Sequence, residues 1–521
     1  MSRHRRTAAT VVLSAVLALV VVFAGCAAPQ RDGRYASIGH DGSAKYVFLL
    51  VGDGMGPAQV HAAEIYRAAV RQRDAEVKTP GADPLVMSSL PVFGVATTYS
   101  ANRQTTDSAA SGTALATGHK TSNGMIAMTP DETRVVSVAE LAKARGMKVG
   151  ILTDVAANDA TPSVFYAHQK SRGESHAINM QIADSCLDFL GGSSLRSQLK
   201  TSDEEPFDRE AVAAAKAAGF RFVTTPEELA ACRPGDKVLS VQRMPWVIDR
   251  EPGAPSLADQ TRRAIEILDN PNGFFMMVEA GKIDGAGHAN DARTNIDEVL
   301  GFDEVIAEVL DFYRRHPAET LIVITADHET GGMTLNCDGK RSPDGIASLA
   351  DQKRSCGIFA AEIFLIWKID NAPEANRPRA SARWVREALA APRPWKGEHP
   401  WTSVEDNVPD ELKALVQQTF GFAWDDLSAE QADFLERAYD SSMGGRAAGP
   451  AMYGRREAFP VAIARVVGER AGIGWTTIGH SPLTVPVRAV GVAAYRFAGM
   501  RDNTDIPRLL AEVMRLELPV D

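Results

Sequence analysis

Four apolar runs of strand length, each broken off by a carboxylate or an imidazole, constrain this chain more than any other feature. Lys45-Tyr-Val-Phe-Leu-Leu-Val51 runs into Gly52-Asp53-Gly54. Lys148-Val-Gly-Ile-Leu152 runs into Thr153-Asp154 and then Asn158-Asp159-Ala160-Thr161. Gly273-Phe-Phe-Met-Met-Val278 meets Glu279, and Leu321-Ile-Val-Ile-Thr325 meets Ala326-Asp327-His328-Glu329. An unbroken apolar run of this length is the signature of a strand buried on both faces. Helical patterns at Val136–Arg145 and Val299–Tyr313 lie between them. The alternation predicts an α/β fold, a mostly parallel central sheet with helices on both faces. The carboxyl edge of such a sheet is where ligands bind. One Asp after a strand is ordinarily a turn or helix cap, but four acidic strand ends converging on one edge predict a site.

The remaining bounds are looser. With 521 residues, 45% of them hydrophobic, the chain has ample material for one large domain with insertions. A formal charge of −10 argues against nucleic acid as a partner and suits acidic clusters that bind cations. The start is basic at Arg3, Arg5 and Arg6 and apolar from Val11 to Phe23, the anatomy of an export signal over residues 1–25. Phe23-Ala24-Gly25-Cys26 resembles a bacterial lipobox, so Cys26 is the expected lipidation site. The expected location is the periplasm or cell envelope, with the chain anchored to a membrane by lipid. A tether over 26–44 would then lead to a catalytic domain at 45–336 and 475–521, interrupted by an insertion or cap at 337–474. In an oxidising compartment Cys186, Cys232, Cys337 and Cys356 allow two disulfides, and a Cys337–Cys356 pair would close a short loop.

Asp284 and His288 stand four residues apart, the spacing that puts two ligands on one helix face. Asp327 and His328 are adjacent at a strand-to-loop turn, where both can reach one ion, and His480 precedes the strand-like run Val485–Ala494. With Asp53 and Glu279 these residues supply enough carboxylate and imidazole for more than one ion. Such a mixture suits zinc, or manganese and cobalt. Ser108 opens a stretch of almost nothing but Ala, Ser, Thr and Gly, residues 108–118. If it begins a helix, its hydroxyl and the free N–H groups of the first turn face one anion, and small neighbours let phosphate and metals approach.

At these residues the chain resembles the alkaline phosphatases. The signatures stand in the family's order as GDGMG at 52–56, TDSAASGTALATG at 106–118, DATPSVFYAH at 159–168, VEAGKIDGAGH at 278–288, TADHETGG at 325–332 and GHSPLTVPV at 479–487. The resemblance implies an alkaline-phosphatase-like fold with a cap or crown in the insertion. It implies a phosphomonoesterase working by two in-line displacements, with Ser108 as the nucleophile that becomes phosphorylated and Arg172 gripping phosphate. One zinc would be held by Asp284, His288 and His480, and a second by Asp53, Asp327, His328 and the Ser108 oxygen. One magnesium would use Asp53, Thr161 and Glu279, with Asp159 acting through water. Substrates would be small phosphate monoesters, a homodimer is an assembly the resemblance allows, and the alternative is a phosphodiesterase or other metal hydrolase of the same superfamily. Gly285 departs from the Lys or His frequent after the metal-binding Asp, and Ser481 from a Thr.

Overall fold

The computed structural model describes residues 42–75, 81–196, 207–336, 343–378, 393, 395, 399–402, 407–444 and 456–519. The export signal, Cys26, most of the tether and Cys337 lie outside the described residues. Fourteen strands are present among the described residues: β1 (Tyr46–Gly52), β2 (Val92–Thr97), β3 (Lys148–Thr153), β4 (Phe189–Gly192), β5 (Arg221–Val223), β6 (Val238–Val241), β7 (Phe274–Ala280), β8 (Thr320–Thr325), β9 (Glu329–Thr330), β10 (Met333–Leu335), β11 (Ile473–Trp475), β12 (His480–Ser481), β13 (Val485–Gly491) and β14 (Gly499–Asp502).

Ten of them form one sheet in the order β14-β2-β13-β8-β1-β7-β3-β4-β6-β5. The predicted strands β1, β7, β3 and β8 occupy its middle, where every residue of β1, β7 and β8 is buried, as unbroken apolar runs require. All pairings are parallel except those of β13, which runs antiparallel to both β8 and β2. That reversal matters for function. The chain enters β13 at the edge where β1, β3, β7 and β8 end, so His480, just before β13, arrives beside Asp53, Glu279 and Asp327.

Helices cover both faces, as adjacent residues of β7 demonstrate. Phe274 packs against Phe312 of the Ala292–Arg315 helix with ring centroids 5.5 Å apart, while Phe275, pointing the other way, meets Phe165 at 6.1 Å. Rings buried like these each stabilise the fold by roughly 1.5–3 kcal/mol. The short strands β4, β5, β6 and β14, and the amphipathic β2, go beyond the runs legible in the sequence. β4 ends in two glycines and β5 has three residues, too little pattern to announce a strand.

The chain leaves the sheet through β10 and returns through β11, and these two pair antiparallel, Leu335 with Ile473 and Met333 with Trp475. The excursion between them builds an aromatic core of its own. Trp367 Nε1 donates to the Tyr439 hydroxyl at 3.3 Å, and Phe459 packs against Tyr439 and Phe364 with centroids 5.4 and 5.2 Å apart. Its helices Asp410–Phe420 and Ala429–Gly444 fall in the region whose sequence is amphipathic. Cys186, Cys232 and Cys356 are free thiols, so the expected Cys337–Cys356 bridge is not formed. Cys356 is instead buried, its backbone N–H bound to Asp291 at 2.7 Å, which leaves its side chain directed by packing rather than by a partner sulfur. Among the described residues no helix is long and apolar enough to cross a membrane.

Candidate active site

Ser108 is the first residue of the Ser108–Thr117 helix, and Asp107 is its N-cap, accepting from the Ala110 N–H at 3.0 Å. All ten residues of this helix are buried. Its small side chains follow from that position: a Cβ added to Gly112 would stand 3.4 Å from the Thr161 Cα and 3.3 Å from a Val164 methyl. The helix therefore lies directly on the Ala160–Ser163 turn, and the Ser108 hydroxyl sits at the floor of the cleft, 3.3 Å from His328 Nε2.

Two sets of ligand atoms converge there. Asp53, Asp327 and His328 form one, and Asp284, His288 and His480 the other; within each set the atoms lie within 4.8 Å of one another. Asp53 follows β1, and Gly54 after it adopts φ +74°, where a Cβ would also sit 2.8 Å from Thr330 Oγ1, so glycine is required on both counts. The freed Gly54 N–H donates to Asp327 Oδ1 at 3.2 Å. Asp284 and His288 lie on the Lys282–Ala289 helix, as their spacing predicts. Asp154, one of the four strand-end acids, has a structural task instead: it accepts the N–H groups of Gly281 and Lys282 at 2.8 and 3.2 Å and so fixes the start of that helix.

The hydrogen bonds fix which atoms of this arrangement carry protons and which offer lone pairs. His480 Nδ1 bonds the Thr106 carbonyl at 2.9 Å and His288 Nδ1 the Ile478 carbonyl at 2.5 Å, so both carry their proton on Nδ1. Their Nε2 lone pairs then face each other at 3.2 Å, with Asp284 Oδ1 at 3.3 and 3.5 Å. The Thr330 hydroxyl donates to Asp284 Oδ1 at 2.5 Å and can therefore only accept from His328 Nδ1, 3.3 Å away, which leaves His328 Nε2 a lone pair as well. That nitrogen lies 3.4 Å from Asp53 and 3.2 Å from Asp327. Asp53 Oδ1, Asp327 Oδ2, Glu279 Oε2 and Thr161 Oγ1 are buried without any hydrogen-bond partner. Converging carboxylate and imidazole acceptors, with the Thr161 hydroxyl the one donor group among the buried oxygens, fit divalent cations.

Proton affinities record the same strain. Burial, with the neighbouring charges of Asp327 and Asp284, drives the Asp53 carboxyl far above its usual range. Burial, then Asp284, lifts Asp327 to about 7, and burial lifts Glu279 to about 8. Asp284 goes the other way: burial opposes its ionisation, but the bond from His288 and the nearby imidazoles hold it below the carboxylate range. Burial lowers His328 and His480. These shifts belong to the ion-free protein, in which protons take the place that cations would fill.

Arg172, indistinguishable in sequence from a surface arginine, is held from two sides. Its Nη2 donates to Asp159 at 3.0 Å and its Nη1 to Asp107 at 3.3 Å, and these two carboxylates keep it firmly protonated despite burial. Asp159 also pairs with Arg196 at 3.0 Å, so both its oxygens face guanidinium groups, and neither it nor Glu279 belongs to the two ligand sets. Arg196 and the bridging Thr330 were not singled out by sequence. Thr330 lies in the TADHETGG signature, a signal that could have found it; Arg196, between Leu195 and Ser197, gives none.

Known proteins resemble this arrangement along nearly the whole chain. The alkaline phosphatase family profile matches residues 44–516. Alkaline phosphatase 4 of Bacillus subtilis (strain 168) is 29% identical, covering 95% of this chain and 94% of its own. The crystal structure of Thermus thermophilus alkaline phosphatase superposes with a TM-score of 0.70 at 26% identity, over 92% of this chain and 93% of that one. That of the cold-active enzyme from a psychrophilic Shewanella sp. gives 0.68 at 28% identity, over 91% and 100%.

Proposed function

The chain belongs to the alkaline phosphatase family of metal-dependent phosphomonoesterases, and from that premise we propose that it acts through a phosphoserine on Ser108, with two zinc ions in the two ligand sets and one magnesium at Asp53, Thr161 and Glu279. The observation that carries the reading is the Ser108 hydroxyl at a helix N-terminus, 3.3 Å from His328 Nε2 in a ligand set whose Asp53 and Asp327 each keep a buried oxygen without a hydrogen-bond partner, with the second set beside it through His480 stacked on His328.

The cations, when bound, stabilise charge on the attacking and departing oxygens and lower the proton affinity of the serine. The rest falls to the chain. Ser108 Oγ gives up its proton to solvent and attacks phosphorus in line, the ester P–O bond breaks on the opposite side, and the alcohol leaves with a proton from solvent. Water then attacks the phosphoserine along the same line, the Oγ–P bond breaks, Ser108 regains a proton released by that water, and inorganic phosphate remains. Arg172 carries five N–H donors, of which Asp107 and Asp159 occupy only some, so the guanidinium is oriented for two phosphoryl oxygens. Asp107 holds the serine, as the helix N-cap, and the arginine in one frame.

The same reading gives residues 1–25 as a signal peptide, Cys26 as a lipid anchor on an exported protein, 26–44 as a tether, 45–336 with 475–521 as the catalytic domain and 337–474 as its insertion. To test the substrate class, the protein lacking residues 1–26 is reconstituted with zinc and magnesium and kcat/KM compared for an aryl phosphate monoester and the matching diester. A ratio far above one is expected, because a diester substitutes an oxygen that Arg172 would bind; a ratio at or below one refutes the assignment.

A further inference from the structure

Beside Asp284 the chain has Gly285, and the space above it is filled from elsewhere. A Cβ at 285 would stand 3.0 Å from Trp246 Cη2. The indole is held in a rigid wall. Lys282 Nζ donates to the Met244 and Pro245 carbonyls at 2.5 and 2.9 Å, and the Val247 N–H donates to Glu298 at 2.7 Å. Asp249 accepts the Ser355 N–H and hydroxyl at 3.1 and 2.5 Å, which ties this loop to the insertion. From the far end of the insertion Arg456 reaches over, its Nη2 donating to the Gly285 carbonyl at 3.5 Å. Its side chain is exposed, and among the described residues no carboxylate lies within ion-pair distance. A guanidinium with no carboxylate partner among the described residues thus stands beside Gly285, where the charge of Asp284 acts on it.

Its position relative to the reaction follows from in-line geometry. Ser108 contacts His328, in the Asp53 set, so the leaving group departs toward the Asp284 set, the side where Gly285, Trp246 and Arg456 stand. We propose that Trp246, Gly285 and Arg456 form a leaving-group subsite that selects phosphate monoesters whose alcohol carries a second anionic group. Trp246 closes the wall against which the alcohol lies, Gly285 leaves room for the indole, and Arg456 supplies the charge. The subsite rests on the phosphomonoesterase reading above and adds the substrate class to it.

Glycerol 3-phosphate and 3-phosphoglycerate test it, because they differ only in a hydroxymethyl against a carboxylate at the far end of the leaving group. The reconstituted wild type is expected to favour 3-phosphoglycerate in kcat/KM. Arg456→Ala should lower that preference about threefold to fivefold, the size of one solvent-exposed charge pair, and Arg456→Lys should keep part of it. Equal losses on both substrates, as a merely structural role for Arg456 would give, overturn the subsite, as does an unchanged ratio in Arg456→Ala. A wild type inert toward both monoesters would instead refute the underlying phosphatase reading, and the subsite with it.

Discussion

Asp53, Asp327 and His328 come from the ends of β1 and β8 and are buried, whereas Asp284, His288 and His480 come from a helix and a two-residue strand and keep 14–25% of their side-chain surface exposed. The first set is rich in acid and crowded by Glu279, so without a cation its carboxyls hold protons; the second is rich in imidazole, which keeps Asp284 ionised. Thr330 bridges them, bonding Asp284 and lying against His328. One edge of one sheet thus offers two environments, a buried acidic one and a partly exposed one rich in imidazole. In the proposed mechanism the first set serves the Ser108 oxygen and the second the oxygen of the leaving group.

The largest effect is expected from removing the proposed nucleophile, which touches the first set alone. Ser108→Ala should abolish the trapped phosphoenzyme and lower turnover by at least about a thousandfold, while both sets keep their metal by elemental analysis; a metal loss would show that the serine builds the sites instead of using them. Next in size, Asp327→Asn should cost more than the roughly 10–100-fold that loss of a ligand's hydrogen-bond partner costs, and excess zinc should not restore it. His480→Ala, at the partly exposed site, should regain much of its activity in excess zinc. Equal rescue of the two variants would erase the distinction between the two sets.

Acidity gives the third test. In the chelated protein Asp327 titrates near 7 and Glu279 near 8, against about 4 for unfolded carboxyls. Between those limits the folded state binds more protons than the unfolded one, so stability falls as pH rises. Thermal unfolding of the chelated protein should therefore drop from pH 5 to 8, and the stabilisation gained on adding metal should widen over the same range. A gap that narrows with pH would contradict the proton-for-cation exchange. The smallest effect lies outside both sets: Arg196 is 59% exposed, and Arg196→Ala should free one oxygen of Asp159 and lower kcat/KM by about twofold to fivefold.

Much of this was legible in sequence where the signal is local. β1, β7, β3 and β8 are read from unbroken apolar runs, and the ligand types from the residues that end them. The Asp284–His288 pair follows from helical spacing, and the start of the Ser108 helix from the Asp-Ser step. What was not legible depends on contacts between distant segments. Nothing near Arg196 or Arg456 marks them, because their meaning lies in Asp159 and Gly285, 37 and 171 positions away. Asp154 looks like a fourth site acid and proves to be a helix clamp, since a carboxylate after a strand serves either purpose and only its neighbours decide. The expected Cys337–Cys356 bridge is not formed, Cys356 being a free thiol, because spacing in sequence does not by itself dictate pairing.

The sequence by itself determined which segments must be buried and which atoms could bind cations, because burial and ligand chemistry are properties of the residues. The tertiary structure alone decided how those atoms divide. The antiparallel course of β13 brings His480 to the carboxyl edge of the parallel strands, and the crossing of β12 with β9 sets it over Asp284. Grouping into two sets, one dry and one wet, is a matter of strand order and direction, which no residue carries in its own side chain.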